Sequence, residues 1–175
     1  VVVPTFNRYK LVQEAINSVL EQDYQPLELI VVDDGSEDET VAALRTHPRL
    51  RLFCQQHTGM PGQVRNAGTR LARGKYIAFL DSDDLWLPQK LSLQVSVAMQ
   101  AGHVISHTRE RWLRSGRNIS QRSQRYRRSG NIFAESLKKC VIGPSTVLVL
   151  RSLLKEIGGF REDLEIAEDY ELWLR

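Results

Sequence analysis

The chain predicts one α/β domain, a mostly parallel sheet flanked by helices, and three observations carry that expectation. Continuous apolar runs at residues 29–32 and 76–80 have the character of strands covered on both faces. Short strands alternate with helical patterns, and that succession requires crossovers and therefore parallel pairing. Hydrophobic residues make up 42% of 175, enough for one well-buried core, and nothing forces a second.

Taken in order, strands are expected at residues 1–3, 29–32, 50–55 and 76–80. The first helix, 10–21, sets Leu11, Ala15, Ile16, Val19 and Leu20 on one stripe. The second, 39–45, follows an acidic turn in which Ser36 is a suitable N-cap, and the third, 62–71, is entered through Pro61. Pro88 opens a longer helical segment to residue 100, where Leu91, Leu93, Val95, Val97 and Met99 supply apolar surface without clean amphipathic spacing. Residues 103–107 and 145–150 have strand character, and the arginine-rich span between them reads as a hairpin or mobile loop. Two helices, 151–157 and 166–174, are separated by Gly158-Gly159-Phe160. Function divides the domain into a ligand-binding half, 1–102, and a second half, 103–175.

No apolar stretch approaches the length of a bilayer-crossing helix and residues 1–25 lack a signal-peptide layout, so the expectation is a soluble, cytoplasmic chain. It begins at Val1 rather than Met and stops at Arg175 within a helical pattern, as expected of a segment truncated at one or both ends. Cys54 and Cys140 are too few and too far apart for a disulfide framework or a zinc site, and read as buried free thiols. The formal net charge is +3, unevenly spread. Residues 109–128 hold eight arginines and one glutamate, a local +7, leaving 16 basic and 20 acidic residues elsewhere. The span reads either as a solvated basic loop or as a contact surface for phosphate or membrane.

The polar residues with chemistry fall where strands end. Pro4-Thr5-Phe6-Asn7 follows the first strand and Asp33-Asp34-Gly35-Ser36 the second, so both loops emerge on the sheet edge where open α/β sheets bind ligands. Asp33 and Asp34 could accept hydrogen bonds from a base or sugar, or merely start a turn. Gly59-Met60-Pro61-Gly62 and Arg65 at the third helix suit an anion, though neither a P-loop nor a dinucleotide fingerprint is present.

Asp81-Ser82-Asp83-Asp84 places three carboxylates at a strand end, where mutual repulsion favours a divalent cation. A calcium loop of EF-hand type fails, because Leu85, Trp86 and Ser92 stand at its fifth, sixth and twelfth places. An aspartate-nucleophile phosphatase using Asp81, and a metal site for a nucleotide diphosphate, both stay open. Glu168 and Asp169 stand beside Tyr170 and Trp173, where a carboxylate can serve as general base or simply complement a helix dipole.

Together, Pro4-Thr5-Phe6-Asn7, Val31-Val32-Asp33-Asp34-Gly35-Ser36, Arg65-Asn66-Ala67-Gly68, Asp81-Ser82-Asp83-Asp84 and Glu168-Asp169, in this order, closely resemble the large family 2 of GT-A inverting glycosyltransferases. The resemblance implies a Rossmann-like nucleotide-diphospho-sugar transferase fold, Mn²⁺ or Mg²⁺, and a nucleotide-sugar donor, a UDP-sugar first among them. It implies that Pro4, Thr5 and Asn7 line the nucleoside pocket and that Asp34, with Asp33 as alternative, bonds the base. Arg65 would approach the nucleotide, Ser82 would belong to the donor site, Asp84 would contact the sugar, and Asp81 and Asp83 would form the Asp-x-Asp element with Asp83 the direct metal ligand. Asp169 would be the catalytic base, supported by Glu168.

The acceptor would be a sugar or a lipid-linked molecule, in cell-surface polysaccharide or glycolipid synthesis. No specific nucleic acid is expected as partner. Trp112 and Tyr126 could stack on a sugar, and the 109–128 span could touch the inner face of a membrane. The alternatives to an inverting transferase are the phosphatase and a silent scaffold whose basic loop binds nucleic acid or membrane.

Overall fold

The computed structural model describes residues 1–119 and 129–175, and Tyr126 with the arginines at 122, 125, 127 and 128 lies outside the described residues. Strands β1 (Val2–Thr5), β2 (Ile30–Asp33) and β3 (Arg51–Cys54) pair in parallel, with Val3 opposite Val31 and Val31 opposite Leu52. On the other side of β1 lies β4 (Tyr76–Ala78), joined by a parallel bridge between Val2 and Phe79 and by the Leu80 N–H donating to the Val2 carbonyl at 3.1 Å. Beyond it, β8 (Val147–Leu150) pairs antiparallel with β4, and β5 (Ile105–His107) antiparallel with β8. The order β3-β2-β1-β4-β8-β5 is therefore parallel over its first four strands and antiparallel over the last two. A separate hairpin joins β6 (Trp112–Arg114) to β7 (Arg117–Ile119).

Side-chain alternation along the strands builds two apolar layers. Val3, Val31, Ala78, Leu80 and Leu148 face α1 (Tyr9–Leu20), α2 (Thr40–Leu44) and α4 (Lys90–Ala101). Val2, Ile30, Val32, Ile77 and Phe79 face α3 (Pro61–Leu71), α6 (Arg151–Glu156) and α7 (Glu168–Leu174). A short α5 (Phe133–Ser136) lies outside both layers. Pro61 occupies the first helical position of α3, where its missing N–H costs no hydrogen bond.

Helix α3 seats unusually close to the sheet because Gly68 faces it: a Cβ there would stand 2.4 Å from Val2 Cγ1 and 3.0 Å from Val32 Cγ2. Two residues earlier Asn66 reaches sideways. Its Nδ2 donates to the Phe160 carbonyl at 2.8 Å and its Oδ1 accepts the Phe160 N–H at 3.0 Å, pinning the 158–162 loop that leads into α7.

Three local expectations are corrected. Ser36 is no helix cap: its hydroxyl accepts the Asn7 N–H at 2.8 Å, while Asp38 accepts the N–H groups of both Thr40 and Tyr9 and so ties the starts of α2 and α1 together. Cys54 is exposed and Cys140 half-buried, because β3 is an edge strand with its outer residues open to water. In α4, Leu91, Val95 and Ala98 are buried whereas Leu93, Val97 and Met99 are exposed, so the poor amphipathic spacing reflects apolar residues on both faces.

Candidate active site

Four loops leave the C-terminal edge of the parallel strands and surround a cavity of ≈ 450 Å³, within the range of small-molecule sites. Pro4, Thr5, Phe6 and Arg8 come from the β1 loop and Asp34 from the β2 loop. His57, Gly59, Met60 and Pro61, with Val64 and Arg65 of α3, form the next wall, and Asp81, Ser82 and Asp83 follow β4.

The β2 loop explains its two aspartates separately. Asp33 is wholly buried, and its Oδ2 accepts the N–H groups of Gly35 at 3.1 Å and Ser36 at 2.9 Å, so this carboxylate shapes the turn and lies away from the cavity. Gly35 has φ +81°, and a Cβ there would come within 2.8 Å of the His57 backbone nitrogen, so glycine is required on both counts. Asp34 faces the cavity and clamps the next loop: it accepts hydrogen bonds from Gln55 Nε2, the Thr58 N–H and hydroxyl, and the Gly59 N–H, at 2.8–3.2 Å. Burial raises its pKa, but these donors outweigh burial and hold it below the usual value. Asn7, at φ +50°, braces the same edge by accepting the Glu37 and Asp38 N–H groups, and it too lies outside the cavity lining.

Phe6 and His57, which no motif singled out for chemistry, make a flat platform on this rim. Their rings stack with centroids 4.0 Å apart and 16° between planes, and His57 Nδ1 lies 2.9 Å from the Asp34 carbonyl oxygen. The signal available in the sequence was Phe6 within the first strand-end loop and His57 two residues before Gly59.

The carboxylates beyond β4 are each engaged differently. Asp81 Oδ1 accepts from Arg65 Nη2 at 2.7 Å, and Asp83 pairs with Arg8 at 3.0 Å across two half-exposed side chains. Asp84 turns away from the cavity and accepts the Ser145 hydroxyl at 2.6 Å, while the same hydroxyl accepts the Asp81 N–H at 3.0 Å. Burial raises the Asp84 pKa, the Ser145 hydrogen bond opposes that, and the charges of Asp81, Asp83 and Glu110 add to the rise.

Arg65 is the centre of the arrangement. Its side chain is only 7% exposed and bridges Asp81 on one fork and Glu168, at the start of α7, on the other. Burial lowers its pKa, but Asp81 and Glu168 more than compensate and raise it. The guanidinium expected to approach a nucleotide lines the cavity and holds two protein carboxylates. Asp169 follows Glu168, half-buried, with Oδ1 accepting the Tyr170 N–H at 2.7 Å and Oδ2 standing 3.9 Å from the Cys140 sulfur. The structure therefore gathers Pro4, Thr5, Asp34, Arg65, Asp81, Ser82 and Asp83 at one cavity and ties Glu168-Asp169 to it through Arg65.

Among the described residues no group of three or more His, Cys, Asp or Glu could hold a metal ion. Asp81 and Asp83 are hard oxygen donors on one cavity wall, and two carboxylates completed by water and phosphate oxygens are what Mg²⁺ and Mn²⁺ accept. The donor set fits a cation arriving with a diphosphate better than a resident one. The exposed Arg8–Asp83 pair costs little to open.

An α/β sheet with this edge and this distribution of carboxylates defines a GT-A glycosyltransferase domain. The chain belongs to glycosyl transferase family 2, whose family model matches residues 1–158. An uncharacterized glycosyltransferase of Rickettsia felis is 34% identical over 177 residues, which cover 99% of this chain and 29% of that protein. The Escherichia coli UDP-Glc:alpha-D-GlcNAc-diphosphoundecaprenol beta-1,3-glucosyltransferase WfgD is 30% identical over 99% of this chain and 67% of its own length. Among solved structures, residues 1–349 of Staphylococcus aureus TarS in complex with UDP superpose with a TM-score of 0.78 at 27% identity, covering 97% of this chain and 52% of that one. The mannosyltransferase PcManGT of Pyrobaculum calidifontis, with GDP-Man and Mn²⁺, gives 0.67 at 25% identity over 93% of this chain and 47% of that one. The chain thus spans under a third of the length of its Rickettsia felis relative. Family membership displaces the aspartate-nucleophile phosphatase, and no helix among the described residues is long and apolar enough to cross a membrane.

Proposed function

We propose that this domain transfers a sugar, with inversion, from a nucleotide-diphosphate donor to an acceptor hydroxyl. The observation that carries the reading is the Asp81–Arg65–Glu168 bridge, which sets the Asp-x-Asp carboxylates and the Glu168-Asp169 pair on two sides of one guanidinium. The nucleoside lies against Pro4 and Thr5, with Phe6 and His57 as an aromatic face and Asp34 holding the loop that frames the base. Asp83, once released from Arg8, and Asp81 are the residues that would hold Mn²⁺ or Mg²⁺, which would offset charge on the departing diphosphate. Asp169 accepts the acceptor's proton as the hydroxyl attacks, and Glu168, fixed by Arg65, positions the helix start that carries it. The product of such a step is a sugar bond of opposite anomeric configuration to the donor.

A UDP-sugar donor is supported by TarS, solved with UDP and with UDP-GlcNAc, and a divalent cation by PcManGT. A lipid-linked acceptor in polysaccharide or glycolipid assembly, met at the cytoplasmic face of a membrane, is supported by the diphosphoundecaprenol substrates named for WfgD and WfaP.

Calorimetric titration of UDP-sugars with and without Mn²⁺, paired with a transfer assay, tests the assignment. Asp83→Asn is expected to remove the metal-dependent part of donor binding, and Asp169→Asn to leave donor binding intact while abolishing transfer. Equal loss of donor binding in both variants would refute this division of roles.

A further inference from the structure

The β6–β7 hairpin is the feature the transferase chemistry leaves unused. Arg114 and Arg117 are direct cross-strand partners, a like-charge pair that destabilises a hairpin in water. Trp112 pairs with Ile119 on the same face, and Leu113, 60% exposed, projects from the other. A two-stranded ribbon, with no third strand among the described residues, is marginal alone. Among the described residues, the side chains of Arg109, Arg111, Arg114 and Arg117 have no ion-pair or hydrogen-bond partner, and no Asp or Glu occurs between Glu110 and Glu135. Exposed apolar side chains interleaved with unneutralised arginines form an amphipathic, cationic surface, whereas the chain outside residues 109–128 carries more acidic than basic residues.

The hairpin's root lies on the Asp169 side of the cleft. Glu110 accepts the Trp112 Nε1–H at 2.8 Å, and its Oε2 would lie 3.1 Å from a Cβ placed on Gly143. The Glu110 charge acts on both Asp84 and Cys140, and the Cys140 sulfur is 3.9 Å from Asp169.

We propose that the β6–β7 hairpin docks on the anionic headgroup surface of a lipid bilayer and holds the Asp169 side of the cleft at that surface. The orienting half of this statement rests on the transferase reading; docking itself does not. The arginines meet headgroup phosphates while Trp112, Leu113 and Ile119 enter the interfacial layer. A lipid-linked acceptor would then be presented from the membrane to the base without leaving it.

Flotation of the full chain with vesicles of phosphatidylcholine, alone or mixed with phosphatidylglycerol, tests the docking. Binding is expected only to the anionic vesicles and is expected to weaken steeply with salt. Each arginine near such a surface contributes about fivefold, so Arg111→Gln, Arg114→Gln and Arg117→Gln combined should lower partitioning on the order of a hundredfold. Leu113→Ser, at an exposed position, should lower it several-fold with the charges intact. UDP-sugar binding and the thermal transition, measured on the same preparations, should be unchanged in all of these. Absence of binding to anionic vesicles, equal binding to neutral ones, or indifference to the arginine changes would overturn the proposal. So would tighter binding to duplex DNA than to vesicles at matched salt, or arginine-dependent binding of soluble pyrophosphate with none of vesicles. Failure of the wild-type chain to bind any nucleotide sugar would strike the transferase reading and leave vesicle docking standing.

Discussion

Replacing Arg65 with Met keeps a long side chain while removing the guanidinium that holds Asp81 and Glu168 together. The Glu168 side chain is only 7% exposed, so the substitution strands a buried carboxylate without its counter-charge. Breaking a buried ion pair from one side costs about 3–5 kcal/mol, a large share of the roughly 5–15 kcal/mol that holds a domain of this size together. Arg65→Lys retains the charge but offers a point donor where a fork spans two carboxylates, so it loses one charge-assisted hydrogen bond, about 1.5–3 kcal/mol. Adding Glu168→Gln to Arg65→Met neutralises the stranded group and should recover much of the loss, on the order of 2 kcal/mol. Urea unfolding of the four variants, Glu168→Gln alone included, gives the double-mutant cycle directly. A cost below about 1 kcal/mol for Arg65→Met, or a double variant no more stable than Arg65→Met, would refute the view that this bridge is a tightly coupled buried pair.

Two further outcomes concern the scaffold. Gly68→Ala forces a methyl to within 2.4 Å of Val2 Cγ1, and the resulting overpacking should destabilise the domain by about 1–3 kcal/mol; a neutral or stabilising effect in thermal unfolding would contradict the close seating of α3. Lys90 is buried with its Nζ lacking any hydrogen-bond partner among the described residues, 3.8 Å above the Trp86 ring, and burial lowers its pKa to about 7 despite that aromatic face. Between about 7 and the ordinary lysine value of about 10.5 the unfolded chain holds a proton that the folded chain has released. Stability should therefore rise with pH across this window, at most by about 1.4 kcal/mol per pH unit, and be lost as pH falls to 7. Lys90→Met should flatten the profile and stabilise the domain at pH 7, measurable by urea unfolding from pH 6 to 11; an unchanged slope would count against the buried amine.

The parallel half of the sheet is legible from local sequence because runs such as Ile30-Val31-Val32 and Ile77-Ala78-Phe79-Leu80 must bury both faces. The antiparallel pairing of β8 with β4 and β5 is not, since its register joins residues 40 to 74 positions apart through contacts no local pattern encodes. The same distinction governs the site. Asp34, Asp81 and Asp83 announce themselves as carboxylates at strand ends, and all three line the cavity. Their partners do not: Arg8 meets Asp83, and Arg65 meets Glu168 across 103 residues. Asp33 and Asp34 are adjacent and chemically identical in sequence. Strand alternation alone sends one into the turn and the other to the cavity.

The close seating of α3 has a thermodynamic consequence for any ligand in the cavity. With Gly68 pressed on Val2 and Val32, and Asn66 locked to both the N–H and the carbonyl of Phe160, this wall has little freedom left to lose when a ligand arrives. Arg8, from the β1 loop, holds Asp83 at the surface, and on the proposed reading that pair opens when a cation binds. On that reading the conformational cost of binding would fall on the Arg8–Asp83 pair, so the diphosphate and its cation would bear it while the α3 wall would contribute little.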